Sequence, residues 1–318
     1  MDAGRRVLAA GVAVAATRAY DRAFDWGYLA EPVIPPPAGA GLVPIIWDGL
    51  SLNSGELDSG LCLVVENVDG WLDGPPVEGN DVARVISDGT AWGPKVVRER
   101  TIVISGAAAG PAELLTRVRH ELAARAVARE PAELVIGELG SDRVLTADVR
   151  AGTERLRVSP LGRGGFKWQV TLTAADPALY DAQWQGAQLV NVTEDTGRVY
   201  NRDYSWRYRG SYVGNSAVLV NSGNVPAPVY ALYVGELTES VLADNHGGII
   251  RLAALGEGMQ ILVYTATLAA EAPGALSRAS YILPGSRPMT IPAGSSSRWY
   301  LRAVGSGSIA LAWRSAWA

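Results

Sequence analysis

A chain of 318 residues can hold about two domains of ordinary size, and its 48% hydrophobic and 19% charged content describe a globular protein rather than a disordered one. The net charge of -4 argues against a dedicated nucleic-acid binder, whose phosphate contacts need a basic surface. The single cysteine, Cys62, rules out an internal disulfide, and its place in the apolar run 61–65 predicts a buried, inert thiol.

The first segment has two readings. Arg5 and Arg6 followed by the short apolar run 7–16, with Ala13-Val14-Ala15 as a cleavage site, fit a signal peptide. The run is too short to span a bilayer, which takes roughly 20 residues. Alternatively, Leu8, Val12, Ala16 or Ala15, Ala19 and Ala23 line one face of an amphipathic helix that continues through Tyr20 and Phe24. Asp21 and Asp25 then each lie three residues after an arginine, within salt-bridge reach. The packed or partner-binding helix is the preferred reading. Four prolines (32, 35, 36 and 37) make 32–41 a stiff, extended connector.

Strands are expected at 44–49, 61–68 and 98–107, with a long irregular loop over 69–94. A helix over 111–129 opens on Pro111 and presents Leu114, Leu115, Val118, Leu122 and Ala126 on one stripe. Arg117, Arg119, Arg125 and Arg129 read as its solvated face. Strands at 133–136, 143–151 and 154–159 follow, the last two joined by a hairpin tip at Gly152-Thr153. The strand 166–174 is stopped by Asp176-Pro177, because proline has no N–H for a ladder. A different body is expected beyond that break. The second half offers short strands at 217–220, 229–234, 249–252, 260–264, 280–283, 298–303 and 308–313, separated by Gly and Asn turns. That punctuation argues for a β-sandwich or jelly roll.

Catalytic chemistry has little to stand on. His120 and His246 have no Cys, Glu or His at metal-ligand spacing, and no nucleophile elbow or phosphate loop occurs. Gly162-Arg163-Gly164-Gly165 opens a strand rather than a helix, so it reads as a hairpin turn. In the segment 199–210, Tyr204, Trp206 and Tyr208 share one face of a strand. They suit either a stacking platform for a sugar or unpaired base, or an interdomain strand covering an edge or a neighbouring subunit. The second is preferred. No catalytic, cofactor or metal residues are assigned.

The order of these features resembles the distal tail proteins of long, non-contractile-tailed bacteriophages, especially actinobacteriophages. The resemblance rests on Trp47-Asp48-Gly49-Leu50-Ser51-Leu52-Asn53, on Val68-Asp69-Gly70-Trp71 running through Gly79-Asn80-Asp81-Val82-Ala83-Arg84 to Arg98-Glu99-Arg100, on Ala175-Asp176-Pro177-Ala178-Leu179-Tyr180, and on Asn221-Ser222-Gly223-Asn224-Val225-Pro226-Ala227-Pro228 with the close Ala312-Trp313-Arg314. It implies a mainly β protein, with an N-terminal β-sandwich carrying one helix (42–180), a linker (181–215) and a C-terminal galectin-like or jelly-roll domain (216–318). It implies a structural, non-enzymatic virion protein at the tail tip, assembled in the host cytoplasm without a membrane. Its partners would be itself in a homohexameric ring, the tail tube protein, the tail-tip hub and receptor-binding proteins, with DNA only in transit through the lumen. Residues 1–41 lie outside the family pattern, and Leu8, Val12, Tyr20 and Phe24 are expected to dock this arm on a neighbour. The competing reading is a carbohydrate-binding tail protein or secreted β-sandwich that recognises host cell-wall glycan.

Overall fold

Period-two alternation in the sequence becomes period-two burial along several of the longer strands. The structure is a computed structural model that describes residues 43–191, 215–272 and 281–318, apart from 58, 80, 84–87, 89, 139 and 162–163. The protein is mainly β, built as β-sandwich bodies, with one helix among the described residues. The chain forms two units: residues 43–182 with Trp317–Ala318, and Gln183–Ala316.

The first unit contains β1 (Ile45–Trp47), β2 (Leu50–Ser51), β3 (Gly55–Glu56), β4 (Cys62–Asp69), β5 (Val77–Gly79), β6 (Val82–Ala83), β7 (Thr90–Ala91), β8 (Lys95–Val97) and β9 (Arg100–Ala109). Helix α1 (Ala112–Ala126), β10 (Ala132–Gly137), β11 (Val144–Leu161), β12 (Gly165–Ala174) and β13 (Leu179–Asp181) complete it. Its main sheet runs β2-β1-β10-β11-β12-β9-β4-β3, with β13 added beside β11. Asp48 and Gly49 both take positive φ in the tight β1–β2 turn. Val118, Leu122 and Ala126 of α1 enter a core with Trp47, Ile102, Ile104, Trp168 and Leu172.

Five sequence expectations change here. Gly152-Thr153 is not a hairpin tip: β11 is one strand of 18 residues, and its register against β12 shifts between Ala151 and Leu156. The turn residues mark a bulge instead, which adds chain without ending the strand. The 69–94 loop carries two short ribbons, β5 with β8 and β6 with β7. The Asp176-Pro177 break ends β12 but not the body, because β13 rejoins the same sheet through Leu145↔Asp181 and Thr146↔Tyr180. Cys62 is only half-buried. Arg125 leaves the solvated set: it donates to the Asp48 carbonyl at 3.2 Å and ties the helix end to the β1–β2 turn.

The second unit contains β14 (Gln185–Val190), β15 (Ser216–Asn221), β16 (Ala227–Val234), β17 (Thr238–Asp244), β18 (Ile249–Leu252), β19 (Gln260–Tyr264), β20 (Ala269–Glu271), β21 (Thr290–Ile291), β22 (Ser295–Val304) and β23 (Ser308–Trp313). One sheet runs β14-β23-β16-β19-β20 with β21 beside β16, and the other runs β15-β22-β17-β18. Tyr233, Ile261, Val263, Ile309 and Leu311 from the first sheet are buried, as are Leu219, Leu242, Ile250, Trp299 and Leu301 from the second. Residues 185–190, expected within a linker, are a paired strand; only Leu189 is fully buried there, so alternation was weak. Of the strand expected at 280–283, the described residues 281–283 form no named strand, and Ile282 makes one isolated bridge to Leu252.

Candidate functional site

β4 and β9 are antiparallel neighbours, and residues 70–99 are the excursion between them. Gly70 starts it with φ +77°, and a Cβ there would lie 2.0 Å from the Thr101 carbonyl oxygen. Only glycine fits that approach. Trp71 then turns into the core, at 4% exposure. Among the described residues from Leu72 onward, Leu72, Val77, Trp92, Val96 and Val97 are all exposed, Trp92 to 81%.

The ribbon is internally simple. Val77 pairs with Val97, Glu78 with Val96 and Gly79 with Lys95. Arg98 pairs with Glu78, the Asp81 carboxylate accepts from the Gly93 amide at 2.8 Å, and the Lys95 ammonium lies 5.2 Å from the Trp92 ring centroid. A two-stranded ribbon is marginal in water on its own. Its exposed valines and tryptophan therefore call for a surface to pack against.

Arg100 anchors the arm to the body. It is 1% exposed, yet carries a guanidinium. Nη1 donates to the carbonyls of Gly70 (3.1 Å), Trp71 (2.8 Å) and Asp73 (2.6 Å), and Nε donates to the Pro177 carbonyl at 2.9 Å. Nη2 is buried without a partner. Burial pulls its pKa below the usual arginine value, and the nearby Asp73 charge opposes that shift. One side chain thus fastens the arm base to the Asp176-Pro177 turn. The turn itself is closed by Asp176, which accepts from the Ala178 amide at 3.0 Å and the Tyr180 hydroxyl at 2.5 Å. In the sequence Arg100 enters only through the stretch Arg98-Glu99-Arg100 that carries the resemblance, with no role given to it, although its phase with Ile102 and Ile104 on β9 is a readable sign that it points inward.

The residues singled out from sequence, Leu8, Val12, Tyr20 and Phe24 in the N-terminal segment and Tyr204, Trp206 and Tyr208 in the aromatic strip, lie outside the described residues. His120 and His246 are exposed on α1 and on the β17–β18 turn. Among the described residues, no three His, Cys, Asp or Glu side chains could hold a metal, and no helix is long and apolar enough to cross a membrane. A second aromatic group exists in the second unit. Trp184, Tyr230 and Tyr264 meet edge to face at 5.5 Å per step, and Arg314 sits 4.5 Å from the Trp184 ring centroid. The Tyr264 hydroxyl is buried without a partner, so this group is a packed cluster rather than an open sugar platform.

No family model matches the chain, and no curated protein matches it. Solved structures do. The chain is similar to the Dit protein (gp 19.1) of phage SPP1, described as a paradigm of the hub adsorption apparatus in phages infecting Gram-positive bacteria: 13% identity, 86% of this chain and 99% of that one, TM-score 0.56. It is also similar to chains of the phage P2 baseplate in its activated conformation with Ca (10% identity, 85% and 98% coverage, TM-score 0.47) and with Sr (10%, 86% and 98%, 0.47). The first of these likenesses assigns the fold of both units.

Proposed function

We propose that this chain is a structural, non-enzymatic protein of a bacteriophage tail tip, a distal tail protein whose copies close into a hexameric ring between the tail tube and the hub. The lumen of the ring passes DNA, and assembly takes place in the host cytoplasm. The observation that carries the reading is the fold likeness to SPP1 Dit, which takes in nearly the whole of both chains. The arm adds physical support: Leu72, Val77, Trp92, Val96 and Val97 are exposed on an excursion that Arg100 fastens at its base. A ring of identical subunits needs two different patches per copy, one donating and one receiving, and a projecting ribbon suits the donating role. Residues 1–41 are proposed as a second assembly arm, as the sequence reading has it.

The test is electron microscopy of assembled tails carrying a label on this protein. A six-fold ring of label at the tail tip is expected. Label elsewhere in the virion, or only single copies in assembled tails, contradicts the reading. Monomers of the isolated protein do not, since closure can require partners.

A further inference from the structure

The outer face of the β15-β22-β17-β18 sheet is unlike the rest of this acidic protein. Burial along β22 alternates, with Ser297, Trp299 and Leu301 inward and Arg298, Tyr300, Arg302 and Val304 outward and exposed. Register places Val218 opposite Arg298, and Val241 between Arg302 and Arg251. Tyr300 lies across from Ala243, which pairs with Ile249, and Ile249 is bridged to Arg287. Four arginines therefore surround a floor of Val241, Ala243, Ile249 and Tyr300, with exposed Val218 and Val220 on the flanking strand. Residues two apart on a strand are about 7 Å apart, and alternate strands about 10 Å apart, so the guanidinium groups form a grid rather than a point cluster.

Arg251, Arg287, Arg298 and Arg302 have no carboxylate among the described residues within ion-pair distance. The nearest acids on β17 sit at its ends. Glu239 is at a positive-φ residue within the irregularity between Thr238 and Val241, and the Asp244 carboxylate is taken by the His246 and Gly248 amides at 2.8 Å. No lysine lies on the face. Arginine and tyrosine are enriched at the centres of protein-binding surfaces, and the exposed valines beside them leave apolar area to be covered.

We infer that this face docks an acidic protein segment whose carboxylates meet Arg251, Arg287, Arg298 and Arg302 and whose apolar side chains cover Val218, Val220 and Tyr300. Three alternatives fit less well. A second copy offering the same face would set four guanidiniums against four, which opposes two-fold pairing. A phosphate polymer would use the arginines but leave the valines uncovered. A single tyrosine gives unpaired bases no stacking row. Arginine forks match carboxylates in two-point contacts, which gives the face orientation as well as charge. The inference goes beyond the ring reading and does not depend on it.

The experiment uses the full chain and three probes: a synthetic peptide repeating Glu-Glu-Val-Val, which puts both residue types on each face of an extended chain, the same peptide with lysine for glutamate, and a short single-stranded DNA. Binding of the glutamate peptide is expected, and it weakens as salt rises from about 50 to about 300 mM. The paired variant Arg298→Glu with Arg302→Glu is expected to weaken it about tenfold or more. The milder pair Arg298→Lys with Arg302→Lys, which keeps the charge, is expected to weaken it a few-fold through loss of the fork. Failure of the glutamate peptide to bind, equal binding of the lysine peptide, or undiminished binding by the glutamate variant overturns the inference. Tighter binding of the DNA than of the glutamate peptide overturns it too, and assigns the face to a phosphate polymer.

Discussion

At the scale of single residues, buried polar atoms divide into those that hold structure and those that do not. Arg100 serves four carbonyls with one guanidinium. Arg100→Ala removes the donors and leaves those carbonyls in a dry site, so a loss of about 3 kcal/mol is expected by urea denaturation. The same variant should make residues 70–99 the first point of proteolysis, because the arm loses its anchor. An unchanged cleavage pattern would deny the clamp its role. Tyr233 is the opposite case. Its hydroxyl is fully buried with no partner, and burial pushes its pKa well above the ordinary phenol value. Tyr233→Phe removes a desolvated oxygen and keeps the ring, so it should raise stability by about 1 kcal/mol. A lower melting temperature for that variant would mean the hydroxyl is satisfied after all. Neither role was visible in composition. Arg100 was betrayed only by its phase on β9, and Tyr233 sits in an ordinary strand pattern where nothing in the sequence marks a missing partner.

At the scale of elements, alternation locates most of the longer strands and the helix, and it fails where local geometry interrupts the period. β17 was missed because Glu239 takes φ +52° and shifts the register, so that Ser240 rather than a hydrophobe points inward. β14 was missed because an edge strand with one buried leucine carries little pattern. Gly152-Thr153 has the turn chemistry of a hairpin, but β11 takes up three extra residues there, four opposite one on β12, without ending. The arm looks like loop in the sequence for a related reason: its strands of two or three residues fall below the length at which alternation is legible. What alternation cannot tell is which side of a ribbon has no core, and that is the property that makes the arm a candidate for assembly. Replacing Val77, Trp92 and Val97 with serine should leave the fold intact, since exposed substitutions are usually within about 0.5 kcal/mol. Self-association of the chain, or its incorporation into tails, should fall sharply. Full incorporation of the triple variant would remove the arm from the proposed interface.

At the scale of the molecule, the two units are not consecutive blocks of sequence. The chain enters the second unit at Gln183 and comes back to the first for its last two residues. The return is a specific anchorage. Trp317 packs against the first unit's core, its indole N–H donates to the Asp181 carboxylate at 3.0 Å, and the Arg143 guanidinium lies 4.1 Å from its ring centroid. Arg143 is itself held by Glu138, whose carboxyl is kept below the usual range by hydrogen bonds from Arg143 and Ser141. Sequence reading took the Asp176-Pro177 break as the exit and the terminus as the end of the second body, because proximity along the chain was the only guide. The structure makes β13 and Trp317 partners instead, one just before the crossing and one just after the return. Truncation at Trp317 is therefore an intervention in the first unit, although it sits beside the last strand of the second. Trp317→Ala removes a partly buried indole and its cation–π contact, a loss of about 2 kcal/mol. Hydrogen exchange should read this as roughly thirtyfold faster opening of β13 and of residues 144–149 in β11. Amides of β16, β19 and β23 should keep their protection. Loosening confined to the second unit, with β13 unchanged, would show that the terminus belongs energetically to the body it follows in sequence.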